Sequence, residues 1–292
     1  MTYGIAGLGI MGGSIAKAIR ANVFDMQGSS GKILACDIST QALDMAEEGG
    51  IIDESFSPCD AAKMLSRCDF VYVCLYPHAT LEFLQEHKND FRPGSIVTDI
   101  SGVKSFLAEN AQSFLTGSYD FIIGHPMAGG AKEGYVNSNG GYFAGRNYIL
   151  IPQSWNKAQN LDTMKTLIGA MGFSRIVETD CRSHDHKIAF TSQLCHVIAS
   201  ALVESAEDDK ITEFGGGSFE DLTRIAMINA PLWTELFLSN KDELLGHISE
   251  FESQLKIIKK DIADGDSEHL KEYLEDVRRK RMSMGVLVTK EK

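Results

Sequence analysis

The stretch Tyr3-Gly4-Ile5-Ala6-Gly7-Leu8-Gly9-Ile10-Met11-Gly12-Gly13-Ser14-Ile15-Ala16-Lys17-Ala18-Ile19 decides how the first half of the chain is read. Tyr3–Ala6 is a short run of strand character. Ser14–Ile19 is a good helical segment. Between them Gly7-Leu8-Gly9-Ile10-Met11-Gly12 fits G-x-G-x-x-G. Glycines in that context make a tight turn and bring backbone N–H groups against a pyrophosphate at the positive end of a helix. The motif alone is a weak signal; a strand before it and a helix after it give it weight.

The next apolar run, Ile33–Cys36, ends at Asp37, which lies 25 residues after Gly12 (37 − 12), against the roughly 20 that a dinucleotide fingerprint expects. The polar loop Gln27-Gly28-Ser29-Ser30-Gly31 absorbs the excess. A carboxylate at that strand end accepts hydrogen bonds from ribose hydroxyls and repels a 2′-phosphate, so NAD is expected rather than NADP. The cofactor-binding set is therefore Gly7, Leu8, Gly9, Ile10, Met11, Gly12 and Asp37. Tyr76 and Pro77, where proline stops another strand, are expected to form a wall near the nicotinamide.

Working outward, short apolar runs alternate with helical segments as far as residue 179. Candidate strands are Tyr3–Ala6, Ile33–Cys36, Phe70–Leu75, Ile96–Thr98, Phe121–Ile123, Tyr148–Ile151 and Arg175–Glu178. Several are continuously apolar with Gly, Pro or Asp at their ends, as in a sheet buried on both faces. The expected fold is α/β, a doubly wound Rossmann-type domain over residues 1–179. From residue 180 to 292 the strand signal disappears. His184–Glu207, Phe219–Met227, Pro231–Ala263 and Ser267–Met284 read as helices, giving an all-helical second domain. Leu232, Leu236 and Phe237, then Leu244, Leu245, Ile248, Phe251 and Leu255, recur at helical spacing. Such apolar faces predict a homodimer through the helical domain.

Composition narrows the function. The 292 residues carry a formal net charge of −12, which argues against a nucleic-acid partner because phosphate binding needs a basic face. The cluster Arg278-Arg279-Lys280-Arg281 reads as a solvated helix end whose cations favour the negative pole of the dipole. No stretch approaches the ~20 apolar residues of a membrane-spanning helix. Tyr3–Ile19 lacks the basic leading segment of a signal peptide. Six scattered cysteines form no Cys-x-x-Cys pair and read as reduced thiols of a cytoplasmic protein. No metal is expected: His184-Asp185-His186 is a possible ligand trio, but residues two apart on a helix face apart.

In an open α/β sheet, ligands bind beyond the carboxyl ends of the strands. Three such ends carry chemistry: Leu75-Tyr76-Pro77, Asp99-Ile100-Ser101-Gly102-Val103-Lys104 and Gly124-His125-Pro126-Met127-Ala128-Gly129. His125 leaves its strand directly into the crevice. An imidazole there can take the proton of a substrate hydroxyl as hydride leaves the same carbon.

Gly124-His125-Pro126-Met127-Ala128-Gly129 resembles the signature of the prephenate dehydrogenase family. Ser192-Gln193-Leu194-Cys195-His196 is similar to that family's Ser-His-Leu-Pro-His segment. Gly215-Gly216-Gly217-Ser218-Phe219-Glu220-Asp221-Leu222-Thr223-Arg224-Ile225-Ala226 resembles its glycine turn and arginine helix, and Ala230-Pro231-Leu232-Trp233 and Asn240 follow in order. The resemblance spans essentially the whole chain. No fused chorismate mutase segment and no appended regulatory domain are expected.

It implies NAD-dependent oxidative decarboxylation of prephenate to 4-hydroxyphenylpyruvate, on the route to tyrosine. Hydride leaves ring carbon 4, and the carboxylate on ring carbon 1 departs as carbon dioxide. Carried over by motif, His125 deprotonates the 4-hydroxyl; Ser101, beside the slot of the family's serine, is the other candidate catalytic residue. Arg224 pairs with a substrate carboxylate, and His196, Gln193 and Gly129 line the substrate pocket.

Three departures fall on the substrate side. Gly102 stands where the family places a serine, with Ser101 one residue earlier and so pointing the other way in extended chain. Gln193 replaces a histidine and cannot carry charge. Ala131 occupies a position usually polar or acidic, with Glu133 two further on. Arogenate dehydrogenase, the same chemistry on an amino-bearing substrate, stays open. A 3-hydroxyacid dehydrogenase would need Lys-x-x-x-Asn, whereas Lys187 is followed by Thr191. A non-catalytic NAD-binding protein is a further alternative.

Overall fold

The computed structural model describes residues 1–25, 28, 30–130 and 132–284; Gln27, Ser29 and Ala131, invoked above, lie outside the described residues. The first part is a sheet of strands β1 (Thr2–Ala6), β2 (Lys32–Cys36), β3 (Glu54–Phe56), β4 (Phe70–Val73), β5 (Ile96–Asp99), β6 (Asp120–Pro126), β7 (Asn147–Ile151) and β8 (Arg175–Glu178). Their order is β3-β2-β1-β4-β5-β6-β7-β8. The chain therefore reverses direction across the sheet between β1 and β4, the switch point at which such folds bind ligands.

Helices α1 (Ile10–Ala18), α2 (Thr40–Glu48), α3 (Ala61–Leu65), α4 (Pro77–Glu86), α5 (Ser105–Glu109) and α6 (Ala158–Ala170) flank this sheet. Side chains alternate between the two cores. Ile33 and Ala35 of β2 join one apolar cluster with Ile5 and Tyr72, while Leu34 and Cys36 join the other with Val71 and Val97. That period of two, with both faces covered, explains why the strands read as unbroken apolar runs.

Two features depart from the sequence reading. The strand β3, of sequence Glu-Ser-Phe, was not predicted, because three mixed residues make no apolar run; its pairing with β2 defines it. β7 runs antiparallel to β6, and β8 is parallel to β7, an orientation that strand composition does not encode.

The helical part comprises α7 (Cys181–Ile188), α8 (Leu194–Glu204), α9 (Gly217–Thr223), α10 (Ala230–Ser239), α11 (Lys241–Asp264) and α12 (Ser267–Ser283). A π-helical turn, Ala189–Gln193, joins α7 to α8. The single helix predicted over Pro231–Ala263 is broken at Asn240, which sits between α10 and α11 with φ −126° and ψ 29°. Its buried amide donates to the Asp185 carbonyl and to Gln193 Oε1, at 2.9 and 2.8 Å. These bonds hold the break against α7 and the π turn.

Candidate active site

The glycine loop has the steric pattern of a dinucleotide cradle. Gly7 has φ 91°, and a Cβ there would lie 2.6 Å from the Cys74 carbonyl oxygen. At Gly12 a Cβ would come within 1.9 Å of Gly7 O, so only glycine lets α1 start so close to β1. Gly9, by contrast, faces open space. It is the N-cap of α1 and supplies no capping side chain, which leaves the first N–H groups available to an anion. Asp37, at the end of β2, accepts hydrogen bonds from the backbone N–H groups of Leu8 and Ser39. Its carboxylate is thereby fixed beside the loop, where ribose hydroxyls of NAD would meet it. These residues fit the cofactor.

At the end of β4, Tyr76 is the N-cap residue of α4 and Pro77 its first residue. The Tyr76 hydroxyl accepts a 2.8 Å hydrogen bond from Asn229, and His78 N donates to Glu235 at 3.1 Å. This corner of the nucleotide domain is thus also tied to α10 and its N-cap.

The loop after His125 returns to the cradle, because a Cβ on Gly130 would lie 2.8 Å from Ile10 Cδ1. Gly129 beside it has open space. His125 is half-buried at the end of β6. Burial pulls its pKa well below the ordinary imidazole value, and neighbouring His184 and Lys104 push the same way. The ring is consequently a neutral base at pH 7. Beneath it, Lys104 is fully buried and donates to Asp99 Oδ2 at 2.7 Å and to the Gly124 carbonyl at 2.6 Å. Burial lowers the lysine's pKa while Asp99 opposes. Lys104 therefore clamps the residue that precedes the base.

His125 Nδ1 lies 2.9 Å from His184 Nε2, and His184 Nδ1 lies 2.7 Å from Asp185 Oδ1. Lys104 N donates to Asp185 Oδ1 at 2.9 Å, and Ser105 N to Oδ2 at 2.8 Å. The sequence reading considered His184-Asp185-His186 only as metal ligands and missed this chain. Its signal was the adjacency of an imidazole and a carboxylate at the start of the helical domain. His186 faces elsewhere and pairs with Glu243. Among the described residues no group of three or more His, Cys, Asp or Glu side chains is arranged to hold a metal.

Ser101 is not brought to His125. Its N–H donates to Asp99 Oδ2 at 2.9 Å, and its buried Oγ has no hydrogen-bond partner among the described residues. Nor does the adjoining position leave easy room for the family serine, since a Cβ on Gly102 would meet Leu236 Cδ2 at 3.0 Å. Gln193 is held by hydrogen bonds within the helical part. It is 1% exposed and spends its amide on the Leu236 carbonyl and on Asn240. These bonds tie the π turn to α10 and to the break before α11.

His196 and Arg224 form a separate group. His196 Nδ1 donates to the Ser192 carbonyl at 2.9 Å, and its ring lies against Trp233 with centroids 3.6 Å apart. Burial holds its pKa below the ordinary value, with the Ser192 carbonyl opposing. Arg224 is exposed on a short turn packed against α8. Among the described residues it makes no ion pair with Glu220 or Asp221. No hydrogen bond among the described residues links this pair to His125.

A nucleotide cradle, an acidic strand end and an uncharged imidazole on the same side of one sheet define a nicotinamide-dependent dehydrogenase. Two family models match the chain: prephenate dehydrogenase, nucleotide-binding domain, over residues 15–177, and prephenate dehydrogenase, dimerization domain, over residues 180–276. The chain belongs to the prephenate dehydrogenase family and is an NAD-dependent enzyme. It is 28% identical to the prephenate dehydrogenase of Bacillus subtilis, covering 92% of this chain and 72% of that protein. The crystal structure of prephenate dehydrogenase from A. aeolicus, in complex with hydroxyphenyl propionate and NAD+, superposes with a TM-score of 0.86 at 30% identity over 98% of each chain. Synechocystis arogenate dehydrogenase shares the fold, with a TM-score of 0.79 at 23% identity, covering 98% of this chain and 100% of that one.

Proposed function

We propose that the protein oxidises prephenate to 4-hydroxyphenylpyruvate with loss of carbon dioxide. The observation that carries this reading is the His125 imidazole at the end of β6, hydrogen-bonded to His184 and followed by a loop whose Gly130 lies against Ile10, the first residue of the nucleotide-binding helix. Bound NAD+ supplies the hydride acceptor. His125 takes the proton from the hydroxyl on ring carbon 4 as hydride leaves that carbon. Arg224, with no acidic partner among the described residues, supplies a guanidinium for a substrate carboxylate. His196, fixed against Trp233, lines the side-chain end of the pocket. Loss of the ring carboxylate then aromatises the ring and makes the step irreversible. L-Arogenate is the second substrate to weigh, because it differs only where an amino group replaces the side-chain keto group.

The test is NADH formation by the purified protein with NAD+ and either prephenate or arogenate. Turnover of prephenate is the expected result. Turnover of arogenate alone would keep the chemistry and change the substrate, and silence with both would remove the reading.

The same proposal includes a homodimer through residues 180–292. Among the described residues, the buried members of the helical core cluster are Ala189, Leu194 and Leu244. Leu245, Phe251, Leu255, Ile262, Leu274 and Val277 stay exposed on α11 and α12, apolar side chains of the kind that a second subunit would cover. Sedimentation at micromolar concentration is expected to give twice the chain mass; a monomer there would overturn the assembly. A cytoplasmic setting belongs to the same reading and is supported by cysteines that are all free.

A further inference from the structure

We propose that Asp185 and His184 are positioning residues that fix which nitrogen of His125 is the base. The inference rests on the reading of His125 as the proton acceptor, and deepens it. Asp185 Oδ1 accepts from Lys104 N and Oδ2 from Ser105 N, so both carboxylate oxygens are committed as acceptors. His184 Nδ1, 2.7 Å from Oδ1, must therefore be the donor of that contact. A neutral His184 with its proton on Nδ1 presents a lone pair on Nε2. The atom 2.9 Å from that lone pair is His125 Nδ1, which must in turn donate. His125 is then left with an unprotonated Nε2. Two imidazoles in series thus pass the tautomer set by one carboxylate on to the ring at the crevice.

The chain is built to hold this order. His184 and Asp185 are 1% and 3% exposed, so water does not compete for their protons. The carbonyl of Asp185 is tied to Asn240, which holds the middle of α7 to the break before α11, and its carboxylate bridges the start of α5. When Nε2 of His125 takes the substrate proton, the O–H bond breaks and an N–H bond forms. The Nδ1–H bond to His184 is kept, and the new positive charge faces an imidazole backed by a carboxylate. The family's serine is absent at Gly102 and Ser101 does not reach the ring, so among the described residues this chain is what orients it.

The direct test is ¹⁵N NMR of protein labelled at histidine, at neutral pH without ligands, with the His125 signals assigned by their loss in His125→Asn. The expected spectrum has a protonated Nδ1 and an unprotonated Nε2 on His125. A proton on Nε2 instead, as a charged His184 donating to His125 would cause, overturns the proposal whether or not any substrate is turned over.

Two variants at His184 supply the kinetic arm. Glutamine places a carbonyl where Nε2 was and can accept from His125 Nδ1; leucine fills the space and cannot. His184→Leu is expected to lower kcat by about 10–10³-fold, with NAD+ affinity unchanged, and His184→Gln to recover most of it. Equal kcat in the two variants would mean that the position matters only for packing and would also overturn the proposal. Absence of prephenate and arogenate turnover in the wild type would instead strike the functional reading, and the spectrum would still decide the tautomer.

Discussion

Exchanging His125 for asparagine is expected to lower kcat by about 10²–10⁴-fold, the range that a positioned general base contributes. NAD+ affinity should change little, because the cradle is built from Gly7, Gly9, Gly12 and Asp37 and contains no atom of His125. The asparagine can still touch a hydroxyl but cannot accept its proton. The pH profile is a second reading of the same residue. Burial, with His184 and Lys104 adding to it, depresses the pKa of His125. The neutral form is the active one, so activity is complete at pH 7 and is lost only as pH falls through that depressed value. The acid limb of kcat/KM in the wild type should therefore lie below the ordinary imidazole value of about 6.5. The limb should vanish from the residual activity of His125→Asn. A limb at or above the ordinary value would remove His125 from the role.

The stability consequence has the same sign. An unfolded chain protonates this imidazole at its ordinary pKa, whereas the folded chain resists. Stability associated with His125 is present above the ordinary value and is lost as pH falls below it.

Much of the nucleotide half was legible because periodicity and glycine placement are local signals. Gly7, Gly9 and Gly12 announce their roles through spacing; the structure gives Gly7 and Gly12 a steric reason, while Gly9 faces open space at the start of α1. Asp37 was legible through its position at a strand end, although the run before it is longer than usual. What escaped was non-local. The orientation of β7 depends on how a loop returns, and β3 exists only because β2 lies beside it. The same limit applied at the crevice. Sequence placed Ser101 and Gln193 at the site by position in a motif. Among the described residues neither hydrogen-bonds to His125: Ser101 N donates to Asp99, and the Gln193 amide is spent on Leu236 and Asn240. His184 and Asp185 were visible as letters, but their link to His125 crosses 59 residues of sequence. Asn240 broke a long apolar helix pattern for a similar reason: its partners are in α7 and the π turn, not in its own neighbourhood.

Lys104→Met is expected to cost about 3–5 kcal/mol of stability, the usual result of removing one partner of a buried ion pair. Lys104 and Asp99 are both fully buried and 2.7 Å apart. Without the ammonium, Asp99 keeps one bond from Ser101 N, and its Oδ1 already has no partner among the described residues. The Gly124 carbonyl loses its side-chain donor as well. A loss of that size corresponds to a fall of about 10 °C in Tm. The pair is expected to matter more through its breakage than through its net worth, since two buried charges lose their hydration to be there. Adding Asp99→Asn to Lys104→Met removes the stranded charge and should restore a substantial part of the lost stability. The same single variant bears on catalysis, because Lys104 holds the carbonyl immediately before His125. Even at temperatures where Lys104→Met is fully folded, kcat should fall, and the double variant should recover Tm without recovering kcat. Recovery of both together would mean that the clamp serves the fold alone; a cost below about 1 kcal/mol would mean that no charged pair is buried there.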